Sequence, residues 1–129
     1  MPPAAGHVLI VEDNHVNQLV AVAMLEYLGF STEVAGNGLK ASCLTDATPF
    51  GAVLMDCQKP EMDGYAATRA IRRIERRGPR TPVIAMTAEV GESERERCLL
   101  AGMDDYICKP VSPNDLNATL SRWVQATVT

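Results

Sequence analysis

The stretch Val8-Leu9-Ile10-Val11-Glu12-Asp13 decides the reading of this chain: four apolar residues in unbroken succession run straight into two acids. A strand with one face in water alternates apolar and polar side chains, and a strand covered on both faces does not. The run therefore belongs inside a sheet that carries helices on both faces. Ala52-Val53-Leu54-Met55 and Pro82-Val83-Ile84-Ala85-Met86 have the same unbroken character, so these three strands are expected at the centre of the sheet. Ser31-Thr32-Glu33-Val34-Ala35 and Tyr106-Ile107-Cys108 complete the set of strand candidates.

Amphipathic stretches separate the runs, a strand, crossover helix, strand order that predicts a mostly parallel sheet. The helix candidates are Asn14 to Leu28 closed by Gly29, Gly38 to Ala47, Asp63 to Arg76 closed by Gly78, Glu92 to Ala101 closed by Gly102, and Ser112 to Gln125. Glycine just past a helix permits the left-handed cap. The last helix has the clearest start, because Ser112 can cap it, Pro113 suits its first position and Asp115 stands where a capping-box acid belongs.

A chain of 129 residues is long enough to bury one core and too short for two. Residues 7–125 are expected to form that unit, with 1–6 and 126–129 as tails or linker remnants. With 47% hydrophobic and 22% charged residues the composition is that of a globular protein. No apolar run approaches the roughly 18 to 20 residues that span a bilayer, and residues 1–6 lack the features of a signal peptide, so a cytoplasmic location without membrane insertion is expected.

Cys43, Cys57, Cys98 and Cys108 fall in no zinc-ligand spacing and no disulfide framework, and are read as reduced, mostly buried thiols. A net charge of -4 gives no general attraction for nucleic acid. Arg69, Arg72, Arg73, Arg76, Arg77 and Arg80 crowd together without interleaved aromatics, and read as a solvated helix face.

In an open parallel sheet, ligands bind beyond the carboxyl ends of the strands. Val11 is followed there by Glu12 and Asp13, Met55 by Asp56, Met86 by Thr87, and Cys108 by Lys109. Carboxylates drawn together repel one another and lose hydration, a costly arrangement unless a cation neutralises it. An oxygen-only donor set with few carboxylates suits Mg²⁺ better than Ca²⁺. Lys109 and the metal would then flank Asp56 with positive charge, and Thr87 would add a hydroxyl, the arrangement that stabilises a phosphoryl group in transfer. Taken singly, each residue has a plain alternative as a solvated acid or a surface Lys or Thr; four at matching strand ends point to a site.

With these residues in view, the chain from His7 to Val124 resembles the response-regulator receiver domains of two-component signalling. The resemblance is carried by Val8-Leu9-Ile10-Val11-Glu12-Asp13-Asn14, by Met55-Asp56-Cys57-Gln58-Lys59-Pro60-Glu61-Met62-Asp63-Gly64, by Ala85-Met86-Thr87-Ala88, and by Gly102-Met103-Asp104-Asp105-Tyr106-Ile107-Cys108-Lys109-Pro110. Glu12-Asp13-Asn14-His15-Val16-Asn17-Gln18 and Gly64-Tyr65-Ala66-Ala67-Thr68-Arg69 look most like the receivers of hybrid sensor histidine kinases.

The resemblance implies a flavodoxin-like (βα)5 fold with Asp56 as phosphoacceptor. It implies Mg²⁺ on Asp13, Asp56 and the backbone carbonyl of Gln58, with Glu12 acting through a metal-bound water. Lys109 would clasp a phosphoryl oxygen, Thr87 would bond another, and Tyr106 would turn into the space Thr87 leaves, a two-state switch. The plainer alternative for Tyr106 is a half-buried aromatic filling the sheet edge. The peptide before Pro110 would be cis. Gln58 and Glu89 would tune hydrolysis of the acyl phosphate. Lys59, where the family more often has methionine, would reach toward Glu89 or Glu61 and slow it, or remain a solvated loop lysine.

The donor would be a sensor histidine kinase or histidine phosphotransfer domain meeting the first helix and the Pro110 loop. The face around Tyr106 would carry the output to a partner the residues do not name. Three other readings are weaker. A phosphatase of the haloacid dehalogenase kind needs a second acid two residues after its nucleophile, where this chain has Gln58; a flavin module needs a Ser/Thr/Gly phosphate loop where Glu12 and Asp13 stand. A receiver-like scaffold that never carries phosphate has no need of the full set Glu12, Asp13, Asp56, Thr87 and Lys109.

Overall fold

The structure, a computed structural model, describes residues 6–57, 64–74, 80–88, 91–109 and 111–128, with backbone alone for 74 and 124–128. Strands and helices alternate: β1 (His7–Val11), α1 (His15–Tyr27), β2 (Ser31–Ala35), α2 (Gly38–Ala47), β3 (Ala52–Asp56), α3 (Gly64–Ile74), β4 (Val83–Thr87), α4 (Glu92–Ala101), β5 (Asp105–Cys108) and α5 (Pro113–Val128). The sheet is parallel in the order β2-β1-β3-β4-β5, so the three unbroken apolar runs are its interior strands, as expected.

Strand side chains point alternately to the two faces, and here both faces are buried. Leu9, Val11, Val53, Met55, Val83 and Ala85 pack on one side against Ala41 of α2, Ala67 and Ile71 of α3 and Cys98 of α4. Val8, Ile10, Leu54, Ile84, Met86 and Ile107 pack on the other against Leu25 of α1 and Leu116 and Leu120 of α5.

Helix ends follow the capping chemistry of their residues. Asn14 Oδ1 accepts from Asn17 N at 3.0 Å and Asn37 Oδ1 from Lys40 N at 2.8 Å, while Ser112 Oγ accepts from Asp115 N at 3.1 Å. Gly102 ends α4 in the left-handed region at φ 104. The expected bounds of β2, α2 and α4 coincide with those found. β4 starts one residue late because Pro82 has no N–H for the ladder, although its carbonyl accepts from Val53 N at 2.8 Å. α5 runs to Val128, three residues past the expected Gln125. Asp63, the Arg76 end of the third helix and the Gly78 cap lie outside the described residues.

Two expectations need correction. The cysteines are free among the described residues, but only Cys98 is buried; Cys43 is exposed on α2, and Cys57 and Cys108 are half-buried at strand ends. The arginine cluster is not simply a solvated face. Arg72 reaches under the sheet, donating to Gly102 O at 2.9 Å, Thr81 O at 2.7 Å and Asp104 Oδ2 at 2.7 Å, and Arg80 donates to Asp104 Oδ1 at 2.8 Å. Asp104 also accepts from Val83 N at 2.9 Å, so one carboxylate ties α3, the start of β4 and the entry to β5. On the outer edge, Trp123 Nε1 and Arg122 both donate to Asp105 Oδ2, fastening α5 to β5.

Removing the Asp104 carboxylate takes its counter-charge from the nearly buried Arg72 guanidinium and its acceptor from the Val83 amide. Asp104→Ala is expected to cost about 3 kcal/mol, seen as a lower urea midpoint at unchanged slope. Arg80, 58% exposed in its side chain, makes a screened pair. Arg80→Ala should cost less than about 1 kcal/mol, and equal losses for the two variants would contradict this assignment.

Candidate functional site

The carboxyl ends of β1, β3, β4 and β5 meet at one edge of the sheet. Asp56 and Thr87 are the last residues of β3 and β4 rather than the first beyond them, and both are fully buried. Register places Asp56 beside Met86 and Thr87 beside Cys108, with the Lys109 amide donating to Thr87 O at 2.8 Å. The ladders thus set the positions of the nucleophile candidate, the hydroxyl and the lysine with respect to one another.

Glu12, Asp13 and Asp56 each place a carboxylate oxygen within 4.8 Å of the others; Glu12 and Asp56 are buried and Asp13 is exposed. Lys109 Nζ donates to Asp56 Oδ1 at 2.9 Å, across β4, which lies between their strands. The loop is held by Glu12 N donating to Ala35 O at 3.0 Å, Asn14 N donating to Glu12 Oε2 at 3.0 Å and Gln18 Nε2 donating to Glu12 O at 2.6 Å. Gly64 packs against the same strand end: a β-carbon there would stand 3.0 Å from Asp56 O and 3.1 Å from Cys57 Sγ.

Among the described residues, three carboxylates against one lysine leave an excess of negative charge, with two of the carboxylates buried. Their oxygens are hard donors, close enough to share one small ion, so the donor set fits Mg²⁺.

Tyr106 is half-buried and sits opposite Ala85, on the sheet face that Thr87 shares. It borders a cavity of about 260 Å³ with Arg95, Cys98 and Leu99 of α4. A second hollow, about 240 Å³, lies between α1 and α5; Met24, Leu54, Val111 and Leu116 line it, and Glu12 and Lys109 stand at its mouth. Gln58, Lys59, Glu89 and Pro110 lie outside the described residues.

Sequence reasoning missed a polar knot behind the site. The Tyr65 hydroxyl donates to Glu94 Oε1, and the Arg97 guanidinium lies 5.0 Å from the Tyr65 ring centre. Burial, then the bond to Glu94, pushes the Tyr65 phenol well above its ordinary value. Burial, then the Glu94 carboxylate, raises the Cys98 thiol. Glu94 is 4% exposed although it belongs to a helix rich in charge, and the Tyr65 hydroxyl on α3 together with Arg97, 3.5 Å away on α4, makes its burial tolerable.

Comparison with known proteins agrees with this geometry. Residues 8–121 match the model of the response regulator receiver domain family. The hybrid signal transduction protein dokA of Dictyostelium discoideum is 44% identical over 119 residues, which are 92% of this chain and 7% of that protein. The chain therefore spans a small part of such relatives. The receiver domain of a Pseudomonas aeruginosa sensor histidine kinase, solved with a magnesium ion coordinated in its active site cleft, is 44% identical with a TM-score of 0.83, covering 93% of this chain and 98% of that one. A Saccharomyces cerevisiae receiver domain, solved with the histidine phosphotransfer protein that precedes it, is 28% identical with a TM-score of 0.87, covering 95% of this chain and 91% of that one. With its strand order, its acidic edge and the match across nearly the whole sequence, the chain belongs to the response regulator receiver domain family.

Proposed function

We propose that residues 7–125 are the phosphoacceptor unit of a phosphorelay, taking a phosphoryl group from a phosphohistidine onto Asp56. The observation that carries this reading is the buried Asp56 carboxylate, 2.9 Å from Lys109 Nζ and grouped with Glu12 and Asp13. Asp13, Asp56 and the Gln58 backbone carbonyl would hold Mg²⁺, and Glu12 would act through a bound water. When bound, the ion offsets the crowded carboxylates and the charge on the transferring phosphoryl oxygens.

The residues of the chain do the rest. An Asp56 oxygen attacks phosphorus in line, the phosphorus–nitrogen bond of the donor breaks, and the electron pair stays on the imidazole nitrogen, which later takes up a proton. Lys109 already stands at Asp56 and passes to a phosphoryl oxygen without reorganising. Thr87 bonds another oxygen, and Tyr106 moves toward the space beside it, on the shared face of the sheet. Water then hydrolyses the acyl phosphate, at a rate tuned by Gln58, Lys59 and Glu89. The unit acts as a signalling module that assists its own modification, in the cytoplasm, without contacting nucleic acid; among the described residues no helix is long and apolar enough to cross a membrane.

Val16, Leu19 and Val20 of α1 are 64%, 56% and 49% exposed and fall at i, i+3 and i+4, an apolar stripe beside the hollow that opens at Glu12 and Lys109. It suits a helix of a histidine phosphotransfer or kinase domain, whose phosphohistidine would then face Asp56. The α4–β5 face around Tyr106 meets the output partner.

Incubation with Mg²⁺ and acetyl phosphate should add one phosphoryl mass, absent in Asp56→Asn and absent in EDTA; a wild type that gains no mass would leave the scaffold reading standing. Asp13→Asn removes one of the crowded charges and should stabilise the metal-free protein by about 0.5–1 kcal/mol while abolishing the thermal shift on adding Mg²⁺. Leu19→Glu should slow transfer from a phosphorylated histidine phosphotransfer domain by about tenfold and leave labelling by acetyl phosphate unchanged. Equal slowing with both donors would remove the stripe from the docking surface.

A further inference from the structure

Asp13 presents a puzzle of positioning. It is exposed, and among the described residues its carboxylate makes no hydrogen bond, yet it must stand within 4.8 Å of the Glu12 and Asp56 oxygens for the cluster to hold an ion. A free aspartate side chain has little to keep it there except its own backbone. The peptide joining Glu12 to Asp13 is planar, so the direction of the Glu12 carbonyl fixes the Asp13 N–H and Cα as well. Whatever grips that carbonyl aims Asp13.

Gln18 grips it. Its side-chain Nε2 donates to Glu12 O at 2.6 Å from the first turns of α1, where the residue is half-buried. The base of the grip is firm, since Gln18 N donates to Asn14 O at 3.0 Å and Asn14 caps the helix through Asn17 N. Asn14 N in turn donates to Glu12 Oε2, so the side chain and the carbonyl of Glu12 are held from the same helix start. The neutral amide suits the place. A lysine or arginine would carry a charge competing with the cation, and a carboxylate would repel the carbonyl it had to hold.

We infer that Gln18 is a positioning residue for the divalent ion, holding the Glu12–Asp13 peptide so that the Asp13 carboxylate meets the cluster. The inference rests on the Mg²⁺ reading above. It places Gln18 outside the reacting groups: the residue touches neither phosphoryl group nor metal and acts through Asp13.

Mg²⁺ titration by calorimetry of wild type, Gln18→Met and Gln18→Glu tests it. Gln18→Met keeps the length and loses the donor, and its Kd for Mg²⁺ should rise about tenfold. The Mg²⁺ concentration giving half-maximal phosphorylation by acetyl phosphate should rise in parallel, while the rate at saturating Mg²⁺ stays near that of wild type. The Asp13 backbone amide resonance should shift in the metal-free variant. Gln18→Glu, which carries the test if Gln18→Met does not fold, sets two effects against each other: the added negative charge alone would tighten Mg²⁺ binding, and loss of the grip weakens it. Weaker binding supports the positioning role; affinities within about twofold of wild type, or tighter, overturn it. A wild type with no measurable Mg²⁺ binding overturns the metal reading itself and this inference with it.

Discussion

The ion pair between Lys109 and Asp56 is the interaction around which the active edge is organised. It joins the residue after β5 to the last residue of β3 across the whole width of β4, so it forms only if all three strands are in register. Register is enforced from below by two buried faces: slipping a strand by one residue would turn every side chain to the opposite face and exchange the partners of both apolar layers. The hydrophobic core thus sets the distance between a lysine and an aspartate that have no local reason to meet. The pair alone cannot neutralise three carboxylates, and the surplus of negative charge is what suits this edge to a cation.

The two ends of the sheet solve opposite problems with the same residue types. At the amino-terminal end, Asp104 is surrounded by Arg72, Arg80 and the Val83 amide, so its charge is satisfied within the chain. At the carboxyl end the carboxylates outnumber the cation, and the end is left reactive. Stability is concentrated where nothing has to happen, and an unmet electrostatic demand is kept where a ligand must arrive.

Much of this was legible beforehand. Unbroken apolar runs at Val8–Val11 and Ala52–Met55 reveal doubly covered strands, because absence of alternation is itself a burial signal, and the acids and lysine at their ends identify the edge that matters. What stayed hidden depends on contacts distant in sequence. Arg72 reads as one more solvated arginine until the α4–β5 turn brings Asp104 to it, 32 residues on. Glu94 reads as surface until Tyr65 comes to it from α3. The grip of Gln18 on Glu12 spans only six residues, but side-chain bonds to a loop carbonyl leave no periodic trace in composition.

The hydrogen bond from Trp123 to Asp105 carries a consequence of another kind. It is the chain's single tryptophan, and its indole is anchored to the strand residue immediately before Tyr106. The protein therefore has a built-in optical label on the seam between α5 and β5. Its emission is sensitive to the contact between α5 and β5, so that seam can be watched in the unmodified molecule.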